Sequence, residues 1–250
     1  MDDKYNVFST FYRELIDSSG HLKNERNTIN QIVDEVCPNK ESKILDVACG
    51  TGDALFELYN QGYKNISGLD SSIKMINRAK ELLPNIDFYH SKWESLSHFS
   101  LNQQYDFLFA ISISLPHALQ KDFPQIFQSF YSMLSKNGVL VFDNRVWHNE
   151  NQSIIEKDRP VCIFSNPRKF KIENESWVID DMCEYTNDRQ IITYRISKEN
   201  STDKHIQYIE VDYAKVFTSD YIEMLYTIGF KNVFSKRIKD WSYELIYALK

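Results

Sequence analysis

Glycine and proline are scarce in this chain, seven and six of 250 residues, and no low-complexity tract or internal repeat is present. Cysteine is scarcer still. Cys37, Cys49, Cys162 and Cys183 stand far apart and form no CxxC pair, so neither a zinc site nor a disulfide scaffold is indicated and no bound metal is expected. A positive charge excess is also missing. Lys+Arg 29 against Asp+Glu 35 leave a formal charge of -6, which argues against nucleic acid or anionic lipid as partners. No apolar run reaches membrane-spanning length, and the opening MDDKYNVFSTFYREL is acidic where a secretory leader would be basic and then apolar. The expectation is a soluble, cytoplasmic protein with reduced thiols, monomeric or homo-oligomeric, whose partner is a small molecule.

What is present is ample core material: 42% hydrophobic and 14% aromatic residues with 26% charged, enough for one main core with a modest insertion. Apolar residues at three-and-four spacing, Phe8, Phe11, Tyr12 and Leu15, then Ile29, Ile32, Val33 and Val36, predict two helices before Pro38. From Lys43 the pattern alternates: strand KILDV, helix 53–61, strand NISGL, helix 72–83, strand IDFYH, strand YDFLFAIS, helix 124–134, and strand VLVFD ending at Asp143. This is the rhythm of a parallel sheet with helices on both faces. After Pro160 three strand-like stretches follow, WVIDDMCEY, QIITYRIS and IQYIEVDYAKVF; then TSDYIEMLYTIGF predicts a helix stopped by Gly229 before two closing strands, KNVFSKR and YELIYAL. An antiparallel insertion over 156–215 thus interrupts a main domain formed by 43–155 and 216–250, with an N-terminal helical lid over 1–42.

The stretch ILDVACGTGD, 44–53, carries Gly50 and Gly52 in the turn after the first strand, where the ligand crevice of an open α/β sheet lies. Glycine lets the backbone approach a ligand with no Cβ in the way. The position of a third dinucleotide-type glycine is Leu55, and Asp53 at the following helix start would repel a pyrophosphate. Asp70, ending the second strand in GLD about 20 residues on, is placed to accept hydrogen bonds from ribose hydroxyls. A cationic adenosine cofactor without phosphates, S-adenosylmethionine, fits both features.

With these residues on view, ILDVACGTGD and GLDSSIKMINRAK resemble the class I S-adenosylmethionine-dependent methyltransferases, over 43–143, in motif order that continues through SKWESL and YDFLFAISISLPHAL. The resemblance implies a Rossmann-like seven-stranded methyltransferase sheet, with Lys92 and Trp93 flanking adenine and carbonyls of the glycine turn, Ala48 and Gly50, meeting the methionine amino group. Asp46, Ser71, Met75 and Ile111 are counted with this cofactor site. HAL and VFDNRVW further resemble the glycine and sarcosine N-methyltransferases. That likeness implies Arg145 as the grip on an acceptor carboxylate, His117 near the methionine end, and Arg26 as partner of the cofactor carboxylate. The chain departs from that group at Ile113, where the group has asparagine, and this bears on glycine as acceptor.

Methyl transfer from a sulfonium needs an unprotonated nucleophile held in line with the S–CH3 bond in a dry site, and orientation supplies much of the rate. Tyr5, Tyr12, Trp147, Trp177 and Tyr194 are candidates to hold cationic groups by cation–π attraction, and Tyr12 joins His117 and Arg145 as a candidate catalytic residue. The expected activity is methylation of an amine nitrogen in a carboxylate-bearing small molecule. An O-methyltransferase, an aminosugar N-methyltransferase and a silent cofactor-binding subunit remain alternatives. A nucleic acid methyltransferase is disfavoured by the acidic charge and by SISLPH standing where an NPPY-type tetrapeptide would.

Overall fold

The structure is a computed structural model that describes residues 9–98, 104–147, 161–164, 167–172, 174–186, 188–199 and 206–250. Tyr5 and Phe8 lie outside the described residues. Two compact units divide the chain, 1–22 with 147–215 and 23–146 with 216–250.

In the larger unit, β1 (Ile44–Asp46), β2 (Ile66–Asp70), β3 (Asp87–His90), β4 (Tyr105–Ala110) and β5 (Leu134–Asn144) are joined by the closing strands β11 (Lys231–Arg237) and β12 (Glu244–Leu249). The sheet order is β3-β2-β1-β4-β5-β12-β11, parallel through β5 and antiparallel for the last two. Because β1 and β4 are neighbours while β2 and β3 run the other way, the order reverses at β1, the place where open sheets bind ligands.

Alternation along the strands sorts the core into two layers. Phe107, Phe109, Val141 and Tyr247 pack with Ile29, Ile32 and Val33 of α2 (His21–Val36), Leu55 and Leu58 of α3 (Asp53–Asn60) and Ile76 and Ala79 of α4 (Ile73–Leu82). On β5, Phe142 instead meets Phe127 of α5 (Phe123–Met133) and Tyr221 of α6 (Thr218–Ile228), with ring centroids 5.4 and 5.2 Å away. Helix ends follow local chemistry. Proline stands in the first turn of α5, where its missing N–H leaves no bond unmade. Gly229 ends α6 at φ 116, its N–H reaching Leu225 and Tyr226 carbonyls.

One boundary differs from expectation. Leu134, expected to end a helix, begins β5, and the residues between it and the expected strand VLVFD lie inside that strand. Asn137 takes φ 67 there, and the register against β4 shifts between Tyr105 and Phe107. An irregular strand absorbs the extra residues without a loop.

The smaller unit has α1 (Tyr12–Ser18) and five strands, β6 (Val161–Phe164), β7 (Arg168–Ile172), β8 (Glu175–Tyr185), β9 (Arg189–Lys198) and β10 (Gln207–Ala214). They run β10-β9-β8-β6, with β7 also on β8, all antiparallel. Two strands, β6 and β7, are additional to the three expected. RKFKI buries only Phe170, too little apolar signal to stand out in sequence. The core gathers Phe11, Phe170, Ile179, Ile196, Ile209 and Val211, with Tyr12, Trp177 and Tyr194 packed against it. Phe11 meets Trp177 edge-on at 5.0 Å. No helix among the described residues is long and apolar enough to cross a membrane.

Candidate active site

The turn after β1 is pinned from both sides. Val47 N–H donates to Phe109 O of β4 and Cys49 N–H to Leu69 O of β2, both at 2.9 Å. Asp46 is buried at the strand end, accepts Ala48 N–H at 3.0 Å, and is pushed well above the usual carboxylate range by burial. Gly50 and Gly52 take φ 50 and 84, the left-handed region that glycine enters without strain. At Gly52 a Cβ would also come 3.2 Å from Ala79 Cβ. Gly68 in β2 is required for a different reason: a Cβ there would lie 2.7 Å from Phe88 and 2.8 Å from the Cys49 sulfur. Cys49 is therefore packing material beneath the turn, with its thiol pushed up by burial.

Asp70 ties two motifs together. Its Oδ2 accepts Gly50 N–H at 2.9 Å and its Oδ1 accepts Ser72 N–H at 2.8 Å, so one carboxylate fixes the glycine turn and the entry to α4. A carboxylate oxygen can accept two hydrogen bonds, which suits this residue to a ligand hydroxyl as well as to the backbone. Trp93 donates its indole N–H to Val47 O at 2.6 Å and stands edge-on to Phe130, which fixes the ring beside the same turn. Ser71 is exposed, its carbonyl 2.9 Å from His90 Nε2. Lys92 is exposed, and Met75 and Ile111 are buried.

Asp53 opens α3 buried, its Oδ1 paired with Arg26 at 3.1 Å and its Oδ2 accepting the Thr51 hydroxyl at 2.8 Å. The pair offsets much of its charge, so the case against a pyrophosphate rests chiefly on Leu55, which is fully buried where a third glycine would stand. Arg26 also lies 5.8 Å over the Phe56 ring.

A second cluster closes the ends of β4 and β5. Ser112 and Ile113 take φ 66 and 53, strained for any residue with a Cβ and more so for a β-branched one. Asp143 holds them there: its carboxylate accepts Ser112 N–H at 2.8 Å, Ile113 N–H at 2.6 Å and Trp241 Nε1–H at 3.1 Å. The Ser112 hydroxyl donates to Glu25 of α2. Burial drives both acids to about 7, against the hydrogen bonds that favour their charged forms. Arg145, half-buried just past β5, lies 5.8 Å over the Tyr243 ring. Burial raises the Tyr243 hydroxyl, Arg145 opposes that, and the Asp143 and Glu25 charges add to it. His117 ends a short turn whose N–H reaches Ser114 O at 3.2 Å. Among the described residues no His, Cys, Asp or Glu cluster is arranged to hold a metal ion.

Glu25, Ser112, Asp143, Trp241 and Tyr243 were not anticipated. Glu25 did leave a signal, because it falls on the apolar stripe Leu22, Ile29, Ile32 and Val36 of α2, and a charged residue on a buried stripe is paired or functional. Tyr12 belongs to the smaller unit, against its core.

A methyltransferase-domain sequence family matches residues 38–209. The chain belongs to the class I S-adenosylmethionine-dependent methyltransferases. The ubiquinone/menaquinone biosynthesis C-methyltransferase UbiE of Campylobacter jejuni is 32% identical over 109 residues, 41% of this chain and 44% of that protein. The chain thus spans under half the length of this relative. The glycine/sarcosine N-methyltransferase of Aphanothece halophytica is 27% identical over 41% of the chain and 40% of that protein. The sugar N-methyltransferase KedS8 from Streptoalloteichus has the same fold, with a TM-score of 0.76 at 18% identity over 96% of this chain and 92% of that one. The methyltransferase reading makes S-adenosylmethionine the cofactor, and the residues here fit it: two Cβ-free positions, a carboxylate anchored at ribose distance in sequence, and no third glycine for a pyrophosphate.

Proposed function

We propose that this methyltransferase acts on an amine nitrogen of a small molecule that carries a carboxylate. The observation that carries this reading is the juxtaposition, past the ends of β4 and β5, of the cationic Arg145 with the buried acids Glu25 and Asp143. An acceptor with one amine and one carboxylate presents complementary charges to such a set. Bound S-adenosylmethionine supplies an electrophilic methyl group on a sulfonium.

The chain's residues bind, orient and exclude water. Asp70 is assigned the ribose hydroxyls, and Gly50 and Ala48 the methionine end. Trp93 and Lys92, with Ser71, Met75 and Ile111, are assigned the adenine side, and Arg26 the cofactor carboxylate. Asp46 holds the turn through Ala48 N–H. Arg145 grips the acceptor carboxylate, and His117 is assigned to the acceptor side. The relative named for glycine and sarcosine supports nitrogen as the acceptor atom. An amino-sugar nitrogen is the second reading, favoured by the likeness to KedS8, which extends over nearly the whole chain and so includes the insertion.

Calorimetry with S-adenosylmethionine and, separately, NAD is expected to show binding of the first alone. An acceptor screen of amino acids and amino sugars, followed by product mass, then separates the two readings; activity on neither class overturns the proposal. For Arg145→Ala, the KM for an amino-acid acceptor is expected to rise at least ~10-fold while cofactor affinity stays within about twofold, because a charge-assisted hydrogen bond of roughly 1.5–3 kcal/mol is lost from the acceptor alone. A fall in cofactor affinity with KM unchanged contradicts that role.

A further inference from the structure

Glu25 enters the reading above only as one of the buried acids near Arg145, and its surroundings are unusual. It comes from α2, is 8% exposed, and accepts the hydroxyl of Ser112, the residue immediately following Ile111 at the end of β4. The charged and titratable groups acting on it come from every side. Arg26 lies on its own helix, Asp53 opens α3, Asp46 ends β1, Asp143 is the last but one residue of β5, and Tyr243 precedes β12. Three of these are carboxylates; of the two cations, Arg26 is paired with Asp53 and Arg145 lies over the Tyr243 ring.

Of the two acids at the Ser112 turn, Asp143 is the better held in its charged form, since it accepts two backbone N–H groups and an indole N–H. Glu25 accepts the Ser112 hydroxyl there. Without a ligand, a proton on this pair resides most favourably on Glu25, where it relieves like-charge repulsion and the penalty of a buried anion. A cation arriving beyond the ends of β1 and β4 reverses that balance, because it compensates the carboxylate charge.

We propose that Glu25 releases a proton to solvent when the positively charged methyl donor binds and keeps it when the neutral demethylated product, S-adenosylhomocysteine, is bound, so that this residue tells donor from product by charge. The carboxyl O–H bond breaks, its electron pair stays on the carboxylate and the proton passes to water, with no change in oxidation state. The inference rests on the cofactor reading above. It adds a product-release function: the site holds the donor more tightly than the product at the pH where Glu25 ionises.

The test is calorimetry of the full-length protein with S-adenosylmethionine and with S-adenosylhomocysteine from pH 6 to 8, in buffers of different ionisation enthalpy. The ligand's own amino group titrates alike for every variant, so the comparison with Glu25→Gln isolates the protein's proton. Wild type is expected to release a net proton fraction on binding the donor near pH 7, beyond that of Glu25→Gln. Its donor affinity should rise ~5–10-fold more than the variant's across this range, as follows from a group near 7 losing its proton on binding. Product affinity should change alike in the two proteins within about twofold.

Ser112→Ala supplies a second check that a merely structural role would not meet. It removes the hydroxyl that favours the charged form, so the rise in donor affinity should move to higher pH. Equal pH dependence of donor binding in wild type and Glu25→Gln overturns the inference and leaves the cofactor reading intact. No binding of the donor by wild type overturns both.

Discussion

Replacing Asp70 by alanine is expected to weaken S-adenosylmethionine binding by at least ~100-fold, the largest single-residue effect on the cofactor in this protein. Two losses combine. The first is direct: a carboxylate accepting ribose hydroxyls contributes about 1.5–3 kcal/mol as a charge-assisted hydrogen bond. The second is internal, since Gly50 N–H and Ser72 N–H both lose their acceptor, and each unsatisfied backbone donor costs about 1–3 kcal/mol unless water or a shift of the turn replaces it. Relaxation of the turn then moves the Gly50 carbonyl and the start of α4 together. Asp70→Asn separates the two contributions. Its amide oxygen can accept one N–H while its NH2 group opposes the other, so an intermediate loss of ~10-fold is expected, with the protein still folded by circular dichroism. Calorimetric affinity for the alanine variant within twofold of wild type removes Asp70 from the site.

Much of this arrangement is legible in the sequence, and the reason is physical. Gly50, Gly52 and Asp70 carry a constraint that few residue types meet, so their spacing in the chain reports their place in space. The sheet is legible because buried parallel strands such as YDFLFA read as apolar runs, all but Asp106 being buried in β4. The second cluster is hidden for the opposite reason. Ser112 and Ile113 are not residue types that announce left-handed backbone, and they hold it because Asp143, 31 and 30 positions away, supplies the acceptors. Asp143 itself reads only as the polar end of a strand. Trp241 bonds Asp143 and Glu25 bonds Ser112 from opposite ends of the sequence, and no local pattern links them. Asp53 shows a milder form of the same limit: its charge is legible, its pairing with Arg26 is not.

Raising the pH of the ligand-free protein from 5.5 to 8 is expected to lower its melting temperature by about 5 °C or more, opposite to the trend of a protein stabilised by ion-paired carboxylates. The sign follows from which state holds the protons more tightly. Glu25 and Asp143 sit at about 7 in the fold, against ordinary values of 4.5 and 3.8, and Asp46 is raised well above its ordinary value. A group raised on folding binds its proton more tightly in the native state, so the unfolded chain holds fewer protons between the two values. That contribution is fully present below the unfolded value and is lost as pH climbs through about 7 for Glu25 and Asp143. A tenfold difference in proton affinity between the folded and unfolded chain corresponds to about 1.4 kcal/mol, which gives a ceiling of roughly 3–4 kcal/mol per group, and the acids interact, so their joint effect is smaller than the sum. A change of 1 kcal/mol moves the midpoint by about 2–4 °C in a chain of this size. Thermal melts across the series provide the check, with Glu25→Gln expected to flatten the slope and saturating S-adenosylmethionine to do the same by compensating the buried charge. A midpoint that climbs steadily from pH 5.5 to 8 would show these carboxyls ionised in the ligand-free fold and withdraw the charge imbalance from which donor recognition was argued.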